Sequence, residues 1–552
     1  MMDRKAHILS GAQAIVECLK RESVTKVFCV PGESYLPVMD AILDEPSMDL
    51  VSARHEGGAS FMAEGFAKAS GNPGVVMATR GVGASNLSIG VHTAAQDSTP
   101  MVVFLGQVHS QFRGREGFQE VDLDQYFKPI AKWTVEILEP ARIPELVQRA
   151  FRVACTGRPG PVIVSLPEDV LVKKSQMEFG EPVIRPSPRP SSKEVDLLEQ
   201  VLLKAERPLI LAGGGVKLAG AEDALVGFAE KYDLPVMAAF RRHDVFPNHH
   251  NLYIGHLGLG AHKNIIESVK ESDVILAIGT RLSEVTTQDY SLLSKEQTLV
   301  HIDIDFETIG KVYSPDLGIV ADAEQALVSF MHLGVTPVWS AWAEGRRRKY
   351  EATLHDDENK SSDLYRIISI LEQRLPTGTI LTNDAGNFAG WLHKFYRFKE
   401  KNTYIGPTSG AMGYGMPAAL GAKLAHPDKT VISLSGDGGF MMTMQEMETA
   451  VRYHIPVISI IFNNRMYGTI RMHQEIHYPY KTIGTDLGDV PFSTFAEDLG
   501  AAGFYVRGFE EFERALVEAL NYDKPVVIEV ETDPEQISVS STIQQLRKRH
   551  KQ

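Results

Sequence analysis

Four runs in the first third of the chain are apolar almost throughout: KVFCV from Lys26, GVVMAT from Gly74, MVVFLGQ from Met101 and PVIVSLP from Pro161. A strand with one wet face alternates apolar and polar residues. An unbroken apolar run needs cover on both faces, which parallel sheets flanked by crossover helices provide. The stretches between the runs are long enough for those helices. In GASFMAEGFAKASG, for example, Phe61, Ala63, Phe66 and Ala67 fall on one side of a helix. The alternation recurs with PLILAGGG, PVMAAF, VILAIGT and TLVHIDID, and again with GTILTNDAG, TVISLSGDG, VISIIFNN and KPVVIEVET. The pattern predicts an α/β protein of three doubly wound parallel-sheet domains.

Length agrees, since 552 residues at about 100–200 per domain leave room for three or so. The stretch EPVIRPSPRPSSKE has four prolines between Pro182 and Pro190, which rules out regular helix and marks an extended linker. A charged helical stretch, WAEGRRRKYEATLHDDENKSS, leads into the third unit. The expected domains are 1–175, 193–340 and 360–535, with a tail at 536–552.

A net charge of −14 argues against nucleic acid or an anionic membrane as the main partner. The basic QQLRKRHKQ reads as a solvated tail. Charges interrupt the apolar positions of the N-terminal segment, so no secretory signal is expected. No apolar stretch reaches the roughly 18–20 residues that cross a bilayer. Cys18, Cys29 and Cys155 are far apart and lack CxxC spacing, so they read as buried thiols of a cytoplasmic protein.

The chemistry begins at SLSGDGGF, where Asp437 sits between glycines at the end of an apolar run. A helical pattern follows, with a helix expected to start near Phe440, and then a second strand ending at Asn463-Asn464. Consecutive parallel strands present their carboxyl ends at one sheet edge, so Asp437 and Asn464 are expected side by side. A carboxylate, an amide oxygen and a loop carbonyl suit a hard cation that also takes phosphate oxygens. Taken alone, GDG is compatible with an ordinary turn.

GDG followed at this distance by NN resembles the motif of the thiamine-diphosphate (ThDP)-dependent enzymes. The resemblance implies an N-terminal pyrimidine-binding domain, a central Rossmann-like domain and a C-terminal diphosphate-binding domain. It implies Mg²⁺ held by Asp437, Asn464 and the main-chain carbonyl of Met466. Loop contacts to the cofactor would come from Asn387, Gly436, Gly438, Gly439 and Tyr467. RHE in LVSARHEGGASF supplies Glu56 as the acid that hydrogen-bonds N1′ of the aminopyrimidine. In TSGAMGYGMPAALGA, Met412 would wedge the two rings together and the Gly410 carbonyl would accept from the 4′-amino group.

Nearly the whole chain is similar to the acetolactate (acetohydroxyacid) synthase branch. VPGESYLPVMDAI, GASNLSIGVHTAAQDSTPMVVFLGQV and GREGFQEVD carry the likeness in the first domain. There Phe118 and Gln119 would reach the reactive side of a cofactor shared between two subunits, implying a homodimer or homotetramer. The chain departs from the synthases at three places. His473 stands where they have tryptophan and is a candidate proton donor. Phe388 replaces a histidine. TRGVGA places Arg80 and Val82 near the pocket mouth, with Arg80 either binding an acidic substrate group or forming an ion pair. Synthases also carry a non-reacting FAD, and Gly213 to Gly215, Arg281 and Asp303 resemble its contacts, in a neighbourhood that departs from the synthase pattern.

The resemblance implies a decarboxylating carboligase that joins a 2-oxo acid such as pyruvate to a carbonyl acceptor. Two alternatives stay open: a 2-oxo-acid decarboxylase or benzaldehyde-lyase-like enzyme, and a non-catalytic ThDP-binding partner protein.

Overall fold

The computed structural model describes residues 7–355 and 361–549. Part of the charged stretch (356–360), the start of the N-terminal segment (1–6) and the end of the basic run (550–552) lie outside the described residues. Three six-stranded parallel sheets form along the chain. The first holds strands Lys26–Cys29, Asp49–Ser52, Gly74–Thr79, Met101–Gln107, Trp133–Glu136 and Pro161–Pro167. The central sheet holds Pro208–Ala212, Val236–Ala238, Tyr253–His256, Val274–Ile278, Thr298–Asp303 and Leu317–Val320. The third holds Ile380–Asn383, Tyr404–Ile405, Val431–Gly436, Ile458–Asn463, Ala502–Arg507 and Val526–Glu531.

Counted by sequence within each domain, the strands of the first and third sheets both lie in the order 2-1-3-4-6-5, and those of the central sheet in the order 3-2-1-4-5-6. The outer domains therefore share one topology that their sequences do not advertise. The central order is that of a dinucleotide-binding α/β fold. A short antiparallel pair, His7–Ser10 with Lys174–Met177, ties the start of the first domain to its end. Residues 178–191 run without regular structure between the first two domains, as the prolines require.

The helix after the second strand of the first domain spans Glu56–Ser70 and is buried on nearly every side, which corrects the one-sided reading. One flank meets its own sheet. The other packs on helix Gly415–Ala425 of the third domain so closely that a Cβ at Gly65 would lie 2.4 Å from the Ala418 carbonyl oxygen. Only glycine permits that approach. The three domains also meet at Asp97, whose buried carboxylate pairs with Lys68 at 3.1 Å, with Arg242 of the central domain at 3.1 Å, and accepts from the Thr408 amide at 3.0 Å. Burial opposes its charge, yet Lys68 and Arg242 hold its pKa down at about 2.

Two further expectations change. The helix expected near Phe440 begins at Asp437 and lasts four residues, and the next helix starts at Glu446. The basic run is not a solvated tail. Helix Ile543–Arg549 buries Ile543 and Leu546 against Met466 and Ile537, while Arg547 forks onto the Glu475 carboxylate at 2.6 and 2.8 Å. Its apolar positions, masked in sequence by four flanking cations, decide the packing.

Candidate active site at the carboxyl edges of the outer sheets

In the third domain the carboxyl ends of three adjacent strands bring together Asn383-Asp384, Gly436-Asp437 and Asn463-Asn464. Asp437 is 6 % exposed. Its Oδ1 accepts from the Gly438 amide at 2.9 Å, whereas the buried Oδ2 makes no hydrogen bond of good geometry, with only the Arg465 and Met466 amides turned toward the carboxylate. Desolvation pushes its pKa up to about 6. A cation at Oδ2 would relieve both the unmet acceptor and the desolvated charge. Asn464 turns its side-chain oxygen onto the Met466 amide at 3.2 Å. The Met466 side chain is held in the small cluster with the C-terminal helix, which fixes the loop carrying its carbonyl. Tyr467 lies over the glycine turn, where a Cβ at Gly438 would come within 2.6 Å of its ring.

The neighbouring loops complete this edge. Gly410 and Gly413 adopt φ of +70° and +75°, which bends the segment around Met412. The Ala385 amide donates to the Ala411 carbonyl at 3.2 Å, and the Thr443 hydroxyl donates to Gly413 at 2.8 Å. Met412 is half-buried in this loop. Asn387 is pinned between the Ile537 carbonyl at 2.7 Å and the Thr469 hydroxyl at 3.0 Å, so its side chain shapes the loop. Phe388 stacks on Phe462 at 5.4 Å. His473 is exposed on helix Gly468–His477, its ring parallel to that of His477 at 6.2 Å.

Sequence reading passed over Asp384. Its buried Oδ1 accepts from Gly415, its Oδ2 has no partner, and a Cβ at Gly439 would lie 2.5 Å from that atom. Desolvation raises its pKa to about 6. In the sequence GTILTNDAG reads only as a strand and its turn, and nothing in the string separates this acid from a turn residue.

In the first domain Glu56 opens its helix after the capping residue His55, whose ring nitrogen accepts from the Gly57 amide at 3.0 Å. The half-buried Glu56 carboxylate accepts from Asn86 at 2.9 Å, a partner also missed in sequence. Phe118 projects from the loop beyond Met101–Gln107 with 71 % of its surface exposed, and Gln119 adopts φ +63°.

Models of the thiamine pyrophosphate enzyme family match all three domains: the N-terminal TPP binding domain at 9–126, the central domain at 195–330 and the C-terminal TPP binding domain at 384–530. The chain is 35 % identical over 548 residues to a probable acetolactate synthase large subunit of Methanocaldococcus jannaschii, covering 95 % of this chain and 92 % of that one. It is 33 % identical to the acetolactate synthase large subunit of Haemophilus influenzae, covering 95 % of each chain. It is 32 % identical to the isozyme 3 large subunit of Escherichia coli, covering 93 % and 92 %.

The chain belongs to the thiamine pyrophosphate enzymes, in the acetolactate synthase branch.

For a ThDP enzyme of this branch, the edge around Asp437 fits a metal-bound diphosphate: one carboxylate atom is orphaned and oxygen donors stand beside it. Among the described residues no group of three or more His, Cys, Asp or Glu could hold a metal ion. The flavin contacts do not fit. The Gly213 and Gly215 loop crosses Gly279 so closely that Cβ atoms there would lie 2.3 Å from its oxygen and 2.6 Å from its Cα. Arg242 lies over Gly214 and pairs with Asp97 at 3.1 Å. Arg281 donates to the Gln96 carbonyl at 2.7 Å, and Asp303 accepts from the Asp305 amide at 2.9 Å. A crevice lined by Gly215, Gly279 and Asp303 has about 30 Å³, room for a water and far from the several hundred that a flavin fills. A cavity of about 470 Å³ lies away from this chemistry, between helices Ser340–Leu354 and Asp363–Arg374. Its charges pair internally, Arg347 with Glu351 and Arg397 with Glu372.

Proposed function

We propose that this enzyme is an Mg²⁺-dependent carboligase that takes a 2-oxo acid such as pyruvate and a carbonyl acceptor to an acetohydroxy acid or acyloin plus CO₂, without flavin. The buried, unpartnered Oδ2 of Asp437 at the carboxyl edge of the third sheet carries this reading. When bound, ThDP supplies a thiazolium that accepts the electron pair released as CO₂ leaves.

The chain's own residues do the rest. Asp437, Asn464 and the Met466 carbonyl would hold Mg²⁺, and the Gly436–Gly439 turn would leave room for a diphosphate at the main chain. Met412 would support the cofactor's rings, and the Gly410 carbonyl would accept from its amino group. Glu56, oriented by Asn86, holds the proton shared with N1′. Phe118 and Gln119 place the acceptor carbonyl, and His473 offers a proton on the adjoining helix. Glu56 acts on the cofactor of a second copy, so a homodimer is the smallest active form.

Supplying the protein with pyruvate, ThDP and Mg²⁺ and measuring CO₂ and coupled product tests this. Acetaldehyde without acetolactate would reject carboligation. Glu56→Gln should keep cofactor affinity and lower C2 proton exchange by at least about 100-fold. Exchange at the wild-type rate would remove Glu56 from its role.

A further inference from the structure

Arg80 opens helix Arg80–Asp97 with φ +34°, a left-handed conformation that strains any side-chain-bearing residue. Its side chain is buried at the carboxyl edge of the first sheet. One arm of the guanidinium lies 3.2 Å from Glu33 and 3.4 Å from the Phe118 carbonyl oxygen, and the other pairs with Glu168. The charged plane lies 5.8 Å from the centre of the Phe118 ring. The next amide, that of Gly81, donates to the Gln119 carbonyl at 3.0 Å. The far end of the same loop is fixed by Gln107, which donates to the Val121 carbonyl at 2.8 Å. The helix that Arg80 begins also touches Glu56: Asn86 bonds its carboxylate, and a Cβ at Gly83 would lie 3.1 Å from it.

An arginine at a pocket mouth can bind a substrate carboxylate or hold a loop. The two arms of this fork already engage two carboxylates and a carbonyl, while its Nε is buried without a partner, so an anionic substrate gripping the arms would have to displace Glu33 or Glu168. Strain at Arg80 and at Gln119 is maintained where the two segments touch, which is where a fixed geometry has value.

We propose that Arg80 is a positioning residue that pins the Phe118–Gln119 loop against the wall carrying Glu56, and that it does not bind the substrate carboxylate. The proposal rests on the carboligase reading for its kinetic consequence, though not for the loop itself.

The test compares wild type, Arg80→Ala, Arg80→Lys and Glu168→Gln as holoenzymes, with pyruvate as donor and either pyruvate or acetaldehyde as acceptor. Both Arg80 variants should lose about tenfold or more in kcat/KM for coupled product with the charged and the neutral acceptor alike. Glu168→Gln should show a weaker version of the same loss. C2 exchange in bound ThDP should stay at the wild-type rate, and amide exchange across 117–121 should quicken. A loss confined to pyruvate as acceptor and restored by lysine would overturn the proposal, as would unchanged exchange across the loop. If wild type makes no coupled product, the carboligase reading fails, and amide exchange in Glu168→Gln and the Arg80 variants still decides the positioning role.

Discussion

The Glu446 carboxylate of the third domain accepts the main-chain N–H of His55 at 2.9 Å, one residue before Glu56 in the first domain. It also takes the Arg54 amide at 3.1 Å and the Thr449 hydroxyl at 2.7 Å, and is fully buried. The turn that aims Glu56 is therefore held by the same domain that contains Asp437.

Glu446→Leu should disturb that turn. It removes the acceptor shared by the Arg54 and His55 amides, leaving those N–H groups unmet at about 1–3 kcal/mol each. The expected result is a lower Tm and slower C2 exchange with ThDP affinity nearly unchanged. Exchange at the wild-type rate would show that Glu446 does not orient Glu56.

Asp437→Ala should act in two opposite directions. Removing a buried carboxylate atom that lacks a partner should raise the Tm of the apoprotein. ThDP affinity in the presence of Mg²⁺ should fall at least about tenfold, towards the value with a chelator. Calorimetry and titration separate the two effects, and Mg²⁺-dependent affinity equal to wild type would place the metal elsewhere.

Acid should loosen the junction of the central and third domains. His243 sits between His393 and His256, with ring centres at 4.3 and 4.4 Å; His243 is buried and the other two are half-buried. Arg241, Lys217, Asp244 and Tyr404 face the cluster. Burial, with neighbouring cations adding to it at His243 and His393, lowers each pKa, to about 4 for His256. A lowered folded pKa means that the unfolded chain binds more protons below about pH 6.5, so stability is full above that and falls as pH drops. Each histidine contributes up to about 1.4 kcal/mol per pH unit. Unfolding free energy measured from pH 7 to 5 should drop steeply, with a shallower slope in His256→Gln. Equal slopes would show that His256 is not titrating on unfolding.

Flavin should be absent. Protein purified under non-denaturing conditions should lack the flavin band near about 450 nm, and added FAD should leave the Tm unchanged, since a ligand stabilises only by binding the folded state. Stoichiometric flavin in the purified protein would overturn this reading.

The sequence by itself determined the interior of each sheet, because a strand covered on both faces must be apolar at successive positions. It placed Gly74–Thr79, Met101–Gln107 and Pro161–Pro167 to the residue. The runs it did not mark are the edge strands, Asp49–Ser52, Trp133–Glu136, Tyr253–His256, Leu317–Val320, Tyr404–Ile405 and Ala502–Arg507, which are short or keep a solvent-facing side. It also brought Asp437 and Asn464 to one edge, since consecutive parallel strands end together. Only tertiary structure decided what Arg80, Glu446 and Asn86 contact, and that Arg242 and Arg281 bond the end of helix Arg80–Asp97. Their partners lie tens to hundreds of residues away, and a charge in a string carries no record of which distant group will neutralise it.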